Sequence, residues 1–230
     1  MDKNTFRNLS SGLYIIGTKD GEKNAGCVVN TVTQATSSPV TLTVCINKDN
    51  FTNVCLKKTK KFAISILSER VKENTLAVFG FCCSRERDKF SDQSFGLTPS
   101  GMPYIKEGVT GYIQCKVIDF VDNYTHTIFI AEAEEAENIL NEQGSIDPPM
   151  TYAYYHTVIK GKTPKNASSY QAETGAGPEN CVSAAASSAG SYKCSVCGYV
   201  YTGSNEEFEK LPDDYKCPIC KVPKNKFFKV

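Results

Sequence analysis

Y-K-C-S-V-C-G-Y-V-Y at 192–201 and L-P-D-D-Y-K-C-P-I-C-K-V-P-K-N-K-F at 211–227 carry Cys194, Cys197, Cys217 and Cys220 as two C-x-x-C pairs, with nineteen residues between Cys197 and Cys217. A C-x-x-C turn aims two thiolates at one point, and two such turns close a tetrahedron of sulfur around a metal. The forty residues from Ser191 to Val230 are too few to bury enough apolar surface for secure folding, so metal binding is expected to supply much of the folding free energy. No secretory signal precedes them, and intracellular thiols stay reduced, which argues against disulfides. Sulfur tetrahedra suit zinc or iron, and the spacing leaves both open, a zinc ribbon for rigidity or docking being the plain alternative. Tyr192, Tyr199, Tyr201, Tyr215, Phe227 and Phe228 form an aromatic shell. Such a low-polarity surround is one of the levers that tune an iron–sulfur potential.

These residues resemble a rubredoxin. The resemblance implies one iron held by Cys194, Cys197, Cys217 and Cys220, exchanging one electron, with Cys197 and Cys220 the ligands nearer solvent. Three features depart from the usual pattern: a shorter loop between the pairs, Tyr215 where a tryptophan is usual, and Lys221 where a glycine follows the last ligand. The lysine must then accept a left-handed backbone at a cost of about 1 kcal/mol.

At 230 residues the chain exceeds one average domain, and the part before the cysteine module is large enough for its own core. Two domains are expected, at 1–160 and 191–230. Between them 161–190 is dominated by small and polar residues and reads as a linker. The polar start M-D-K-N-T-F-R and the lack of any membrane-length apolar run point to a soluble, cytoplasmic protein. Net charge is +1 with no basic tract, which speaks against nucleic acid. The charge is unevenly divided, with 17 Lys and Arg against 18 Asp and Glu in residues 1–160, and 7 Lys against 5 acids in 191–230. Seven further cysteines lack ligand spacing and read as core residues in a reducing compartment, Cys82-Cys83 included.

Periodicity in 1–160 predicts a short N-terminal helix over 4–12 and strands over 13–18 and 25–33, joined by a turn at Asp20-Gly21. Val40 to Asn47 alternates apolar and polar positions as a half-buried strand does. Thr52 is the expected cap of a helix over 53–60, and Phe62 to Leu67 is another strand. A helix is expected from Ser68 to Phe79, ended by Gly80. After the loop S-R-E-R-D-K-F come strands over 111–120 and 125–133 joined at Asp122-Asn123, and a last β segment over 150–156. The pattern is mainly β, a barrel or sandwich with two or three helices. No phosphate-loop, dinucleotide or nucleophile motif occurs. Hydroxyl-rich N-T-V-T-Q-A-T-S-S-P and cationic S-R-E-R-D-K-F could hold a phosphate, although such stretches are more often plain loops.

The order N-T-V-T-Q-A-T-S-S-P-V-T-L-T-V-C-I-N-K-D-N-F-T, F-A-I-S-I-L-S, F-G-F-x-x-S-R-x-R-D-K-F, G-Y-I-Q-C-K-V and H-T-I-F-I-A-E-A is similar to the flavin reductase-like, FMN-binding split β-barrel family over most of 1–160. This resemblance implies that Asn30, Thr31, Val32 and Thr33 line the isoalloxazine and that Cys45, Ile46 and Asn47 border it. It places Thr52, Lys89 and Arg85 at the phosphate, with Ser65 and Ser68 as weaker candidates. His126 would approach the flavin or nicotinamide face, its alternative being a hydrogen-bonded strand histidine. A homodimer with FMN near the subunit interface is also implied.

Together the two domains resemble the high-molecular-weight rubredoxins. That architecture implies an NAD(P)H-dependent oxidoreductase passing electrons through FMN to the iron and on to a flavodiiron protein that reduces oxygen or nitric oxide. A free-flavin or ferric reductase with an accessory module, and a zinc-ribbon binding protein, are the competing readings.

Overall fold

The computed structural model describes residues 3–159, 161, 163, 167, 192–194, 199–201, 203–217 and 222–229. β1 (Tyr14–Asp20) and β2 (Lys23–Val29) form a hairpin around Gly21 and Glu22. Gly21 has φ +60°, so the glycine fills the first central position of the turn, where a left-handed backbone favours it. The turn therefore lies one residue beyond the expected Asp20-Gly21 centre. β3 (Val32–Ser37) pairs with β4 (Val40–Asn47), after which α1 (Phe51–Thr59) leads to β5 (Lys61–Leu67). α2 (Glu73–Phe81) precedes a ribbon of β6 (Phe95–Leu97) and β7 (Pro103–Ile105). The long strands β8 (Val109–Asn123) and β9 (His126–Asn138) pair as a second hairpin, and α3 (Tyr152–Thr157) follows.

The main sheet runs β2-β1-β5-β8-β9-β4-β3 with every pairing antiparallel. Its edge strands β2 and β3 are separated in the chain only by Asn30 and Thr31. Three Cα–Cα steps span at most about 11 Å, whereas six strand spacings of a flat sheet come to roughly 29 Å. The sheet is therefore rolled until its two edges approach at the Asn30–Thr31 corner. This explains why the single strand expected over 25–33 is two: the chain crosses there from one edge to the other.

Rolling creates two cores. Inside lie Ile16, Cys27, Val44, Phe62, Ile64 and Phe129, with Leu56 of α1 among them. Outside, Ile15, Leu67, Phe79, Phe90, Ile105 and Met150 pack together, so β1 is buried on both faces. Burying each of these large side chains contributes about 1.5–3 kcal/mol. A Cβ at Gly17 would stand 1.9 Å from the Pro103 carbonyl oxygen, so a glycine is required where β7 lies against β1.

Several boundaries differ from expectation for identifiable reasons. Asn50, not Thr52, caps α1: its Oδ1 accepts from the Thr52 N–H at 3.0 Å. α2 starts at Glu73 because the backbone of Ser68 and Glu69 is already bonded elsewhere, to Gly108 and Pro148, and Gly80 lies inside the helix. The β8–β9 turn is Tyr124-Thr125, with Tyr124 at φ 45°. Residues 152–157 form a helix rather than a strand, since the Thr151 hydroxyl accepts from the Tyr154 N–H at 3.0 Å and caps it. A last β segment was expected over 150–156.

In the C-terminal module, β10 (Tyr192–Cys194) pairs antiparallel with β11 (Phe227–Lys229). α4 (Asn205–Glu209) opens with a reciprocal cap between Ser204 and Glu207. The expected linker falls almost wholly outside the described residues. Among the described residues no helix is long and apolar enough to cross a membrane.

Candidate functional site

The two cysteine turns are built alike. Cys194 N–H donates to the Tyr199 carbonyl at 2.8 Å and Cys217 N–H to the Val222 carbonyl at 2.8 Å, each closing a loop of the same length. Outside these closures, Lys193 bridges Val200 and Lys216 bridges Pro223. Cys194 and Cys217 are 1% and 0% exposed. Cys197 and Cys220 lie outside the described residues, within the two closed loops. Phe208 anchors the aromatic shell, stacked on Tyr192 at 4.1 Å and edge-on to Tyr201 at 5.2 Å. Tyr215 and Phe227 complete it. Burial, with the neighbouring tyrosines and cysteines adding, pushes the Tyr215 phenol up to about 12. Two buried thiols at the first positions of matched loops fit a tetrahedral sulfur site.

The barrel candidates gather around the rolled sheet's open edge. Asn30 and Thr31 are half-buried at the corner, and Thr31 Oγ1 donates to the Cys45 carbonyl at 2.8 Å, tying corner to β4. Val32 faces Val44 across the ladder, while Thr33 is exposed on the edge strand. Cys45 and Asn47 are half-buried, whereas the Ile46 side chain points into the core and its carbonyl accepts from Asn53 Nδ2 at 3.0 Å. Only the backbone of Ile46 is therefore placed to border a ligand. His126 stands directly opposite Asn47 in the β4–β9 ladder, with its Nδ1 2.8 Å from Thr125 Oγ1. Partial burial lowers its pKa, which favours a neutral imidazole.

The expected phosphate residues converge on the first turn of α1. The Thr52 hydroxyl is fully buried and has no nitrogen or oxygen partner among the described residues. Burial raises the pKa of the neighbouring Cys27 thiol, opposed first by the Lys89 ammonium and then by hydrogen bonding with Thr52 and Asn50. The Arg85 guanidinium sits 4.9 Å over the Phe51 ring and is exposed. Lys89 is 2% exposed, and its ammonium donates to the Gly26 and Phe79 carbonyls at 2.9 and 3.2 Å. The Ser84 hydroxyl accepts from Gly26 N–H and donates to Gly26 O. Ser84 and Lys89 thus bind the main chain of edge strand β2 and fix the loop that carries Arg85. A buried hydroxyl at a helix N-terminus that meets the Cys27 thiol, beside two cations, fits an anionic group.

Ser65 and Ser68 are spoken for by the fold: Ser65 Oγ accepts from Ile105 N–H at 3.0 Å and Ser68 Oγ from Arg70 N–H at 3.3 Å. Asn50, Ser84 and Cys27 escaped the sequence reading. Asn50 was legible as a helix cap; the others are visible only once β2 meets the 84–89 loop.

Residues 6–161 match the flavin reductase like domain and residues 192–228 the rubrerythrin, rubredoxin-like domain. The chain is 39% identical, over 99% of both sequences, to the high molecular weight rubredoxin of Moorella thermoacetica. The chain belongs to the high-molecular-weight rubredoxin family. It is also 35% identical to the ferric-chelate reductase (NAD(P)H) of Archaeoglobus fulgidus, over 74% of this chain and 98% of that protein. Its fold is similar to that of an FMN-binding protein from Thermus thermophilus, with a TM-score of 0.56, 19% identity and coverage of 64% of this chain and 84% of that one. This member of the high-molecular-weight rubredoxin family is therefore an oxidoreductase joining a flavin domain to a rubredoxin-like domain.

Proposed function

We propose that the chain oxidises NAD(P)H at FMN in the barrel and delivers electrons singly through one iron, held by Cys194, Cys197, Cys217 and Cys220, to a flavodiiron-type acceptor. The observation that carries this reading is the pairing itself: a flavin reductase-like domain and a rubredoxin-like domain in one chain, similar along nearly its whole length to a high molecular weight rubredoxin. Bound FMN supplies hydride acceptance with single-electron return, and iron supplies one-electron exchange.

The chain's own residues do the rest. Arg85 and the first turn of α1 hold the phosphate end, Lys89 fixes the loop that carries Arg85, and Asn30, Thr31, Cys45 and the backbone of Ile46 border the ring. Asn47 and His126, opposite each other at the end of the β4–β9 ladder, line the approach for nicotinamide. His126 in its neutral form keeps positive charge away from the nicotinamide ring, which becomes cationic as it gives up its hydride. The edge strand β3, exposed from Thr33 to Ser37, offers an unpaired backbone to a second subunit, in keeping with a homodimer. A cytoplasmic setting suits the reduced thiols.

Metal and flavin analysis of protein produced with ample iron tests the reading: one iron and one FMN per chain, with ferric-thiolate and flavin absorption, are expected. Zinc with no visible bands would replace it by the zinc-ribbon reading. Similarity to the ferric-chelate reductase favours a second activity, which would show as ferric-chelate reduction undiminished after the module is removed.

A further inference from the structure

Charge in this chain is segregated into two stretches. Residues 132–147 hold six acidic side chains and no lysine or arginine, and residues 215–230 hold five lysines and no acid. The acidic stretch covers the second half of β9 and the loop after it. Glu135 and Glu137 both accept from the one Tyr112 hydroxyl, at 2.6 and 3.0 Å, and Glu134 accepts from Gln114 Nε2 at 2.9 Å. Both donors are neutral, so carboxylates are held side by side with their charge uncompensated. Lys116 stands opposite Glu132 in the β8–β9 ladder, and Asp147 pairs with Arg70 at 3.3 Å. Glu134, Glu135, Glu137 and Glu142 form no ion pair among the described residues. Beside them the Asn141 N–H donates to the Ser145 carbonyl at 2.8 Å and closes a loop flanked by Leu140 and Ile146, 58% and 48% exposed.

The module carries the opposite charge. Its five acids lie within 206–214. Lys224 is engaged by the Glu209 and Leu211 carbonyls, whereas Lys216, Lys226 and Lys229 are exposed and form no ion pair among the described residues. Between Lys226 and Lys229 the Phe228 ring is also exposed, so apolar surface and positive charge occur together, as they do in reverse sign at Leu140 and Ile146. One buried cluster joins Cys194, Cys217 and Val222 of the module to Met150 and Tyr155 of the barrel, and Ile139, in the middle of the acidic stretch, packs against it.

We infer that 132–147 is the docking surface for the chain's own rubredoxin-like module, Leu140 and Ile146 taking apolar side chains while Glu134, Glu137 and Glu142 meet Lys216, Lys226 and Lys229. The covalent connection through 161–190 makes the encounter intramolecular, which favours this module over any other basic surface. Opposite charges steer and orient such an encounter, and salt weakens it. Docking requires a folded, metal-loaded module, and neither a particular metal nor bound flavin.

The test is zero-length carbodiimide cross-linking of the metal-loaded full chain, with the joined peptides identified by mass spectrometry. On a denaturing gel, joins within a chain keep the single-chain mass and joins between chains double it. Joins between 132–147 and 215–230 are expected at single-chain mass in about 0.01 M salt, falling about tenfold in about 1 M salt, where the screening length drops from about 30 to about 3 Å. Glu134→Lys with Glu137→Lys should cut the joins made by Glu142 by a similar factor, and adding Lys226→Glu with Lys229→Glu should restore joining between the two stretches. Glu142→Lys, in an exposed loop, gives a second measure through the joins of Glu134 and Glu137 if the double variant on β9 does not fold. The same joins in a zinc-loaded chain support docking even where the electron-transfer reading fails. No joins between the stretches at low salt, or joins indifferent to salt and to charge reversal, overturn the inference. Joins found only at doubled mass overturn it in favour of a second copy's module.

Discussion

The C-terminal module and the barrel hold their chemistry in different materials. In the module the proposed site is four side chains of one type at fixed spacing, and the two described cysteines are seated by matching backbone closures. In the barrel the proposed site is made of a helix start, a strand corner and the 84–89 loop, which are brought together only by rolling the sheet. A site made of side-chain ligands is written locally, whereas a site made of main chain and long-range contacts is written in the topology.

The largest effect should come from the module. Cys217→Ser removes a fully buried thiol proposed as a ligand, and the expected outcome is complete loss of bound iron and of the module's ordered fold, because metal binding is expected to supply much of its folding free energy. FMN content should stay at the wild-type level. Iron retained in this variant would break the comparison.

The barrel can be attacked independently. Phe129→Ala empties a fully buried position in the inner core, and a loss of about 3–5 kcal/mol is expected in urea unfolding of the barrel, with the iron absorption unchanged. Coupled loss of both signals would show that the two regions fold as one.

Thr52→Val sharpens the difference within the barrel, since the two readouts should move in opposite directions. Deleting a buried hydroxyl that meets only the Cys27 thiol is expected to stabilise the flavin-free chain by up to about 1 kcal/mol. FMN binding should weaken by about 1.5–3 kcal/mol, the worth of a hydrogen bond to a charged group. Unfolding of the flavin-free chain and FMN titration measure the pair. Equal behaviour in both would assign the hydroxyl a packing role alone.

A smaller effect concerns pH. Burial, with Glu134 adding, pushes the Cys115 thiol up from 9.0 to about 12. Its contribution is fully present below pH 9 and is lost as pH rises toward 12, because the unfolded chain then ionises and the folded one does not. Barrel stability is expected to fall by about 1.4 kcal/mol from this thiol between pH 7 and 10. Cys115→Ala, although less stable at neutral pH, should show a shallower alkaline decline.

Legibility followed the same division. β4 was readable to the residue over Val40–Asn47, because its alternation reports a half-buried strand directly. The cysteine turns were equally plain. The strand over 25–33 hid the break at Asn30–Thr31, because V-V-N-T-V-T keeps β composition straight through the corner. Thr52 was taken for the cap that Asn50 provides; both are good capping types, and only the hydrogen bond distinguishes them. Lys89 was legible as a cation near the expected phosphate, but its two carbonyl partners depend on β2 and α2 meeting the loop. A β segment was expected over 150–156, and the Thr151 cap decides for a helix over 152–157.

Whether flavin and iron form one electron path within this protein is decided by an anaerobic reductive titration. Protein carrying FMN and iron is titrated with NADH and, separately, NADPH while both absorption bands are followed. Flavin and ferric-thiolate bands are expected to bleach together, complete at about 1.5 equivalents of the accepted nicotinamide per chain, two electrons for the flavin and one for the iron. Flavin bleaching at one equivalent with the iron band persisting would contradict a single path.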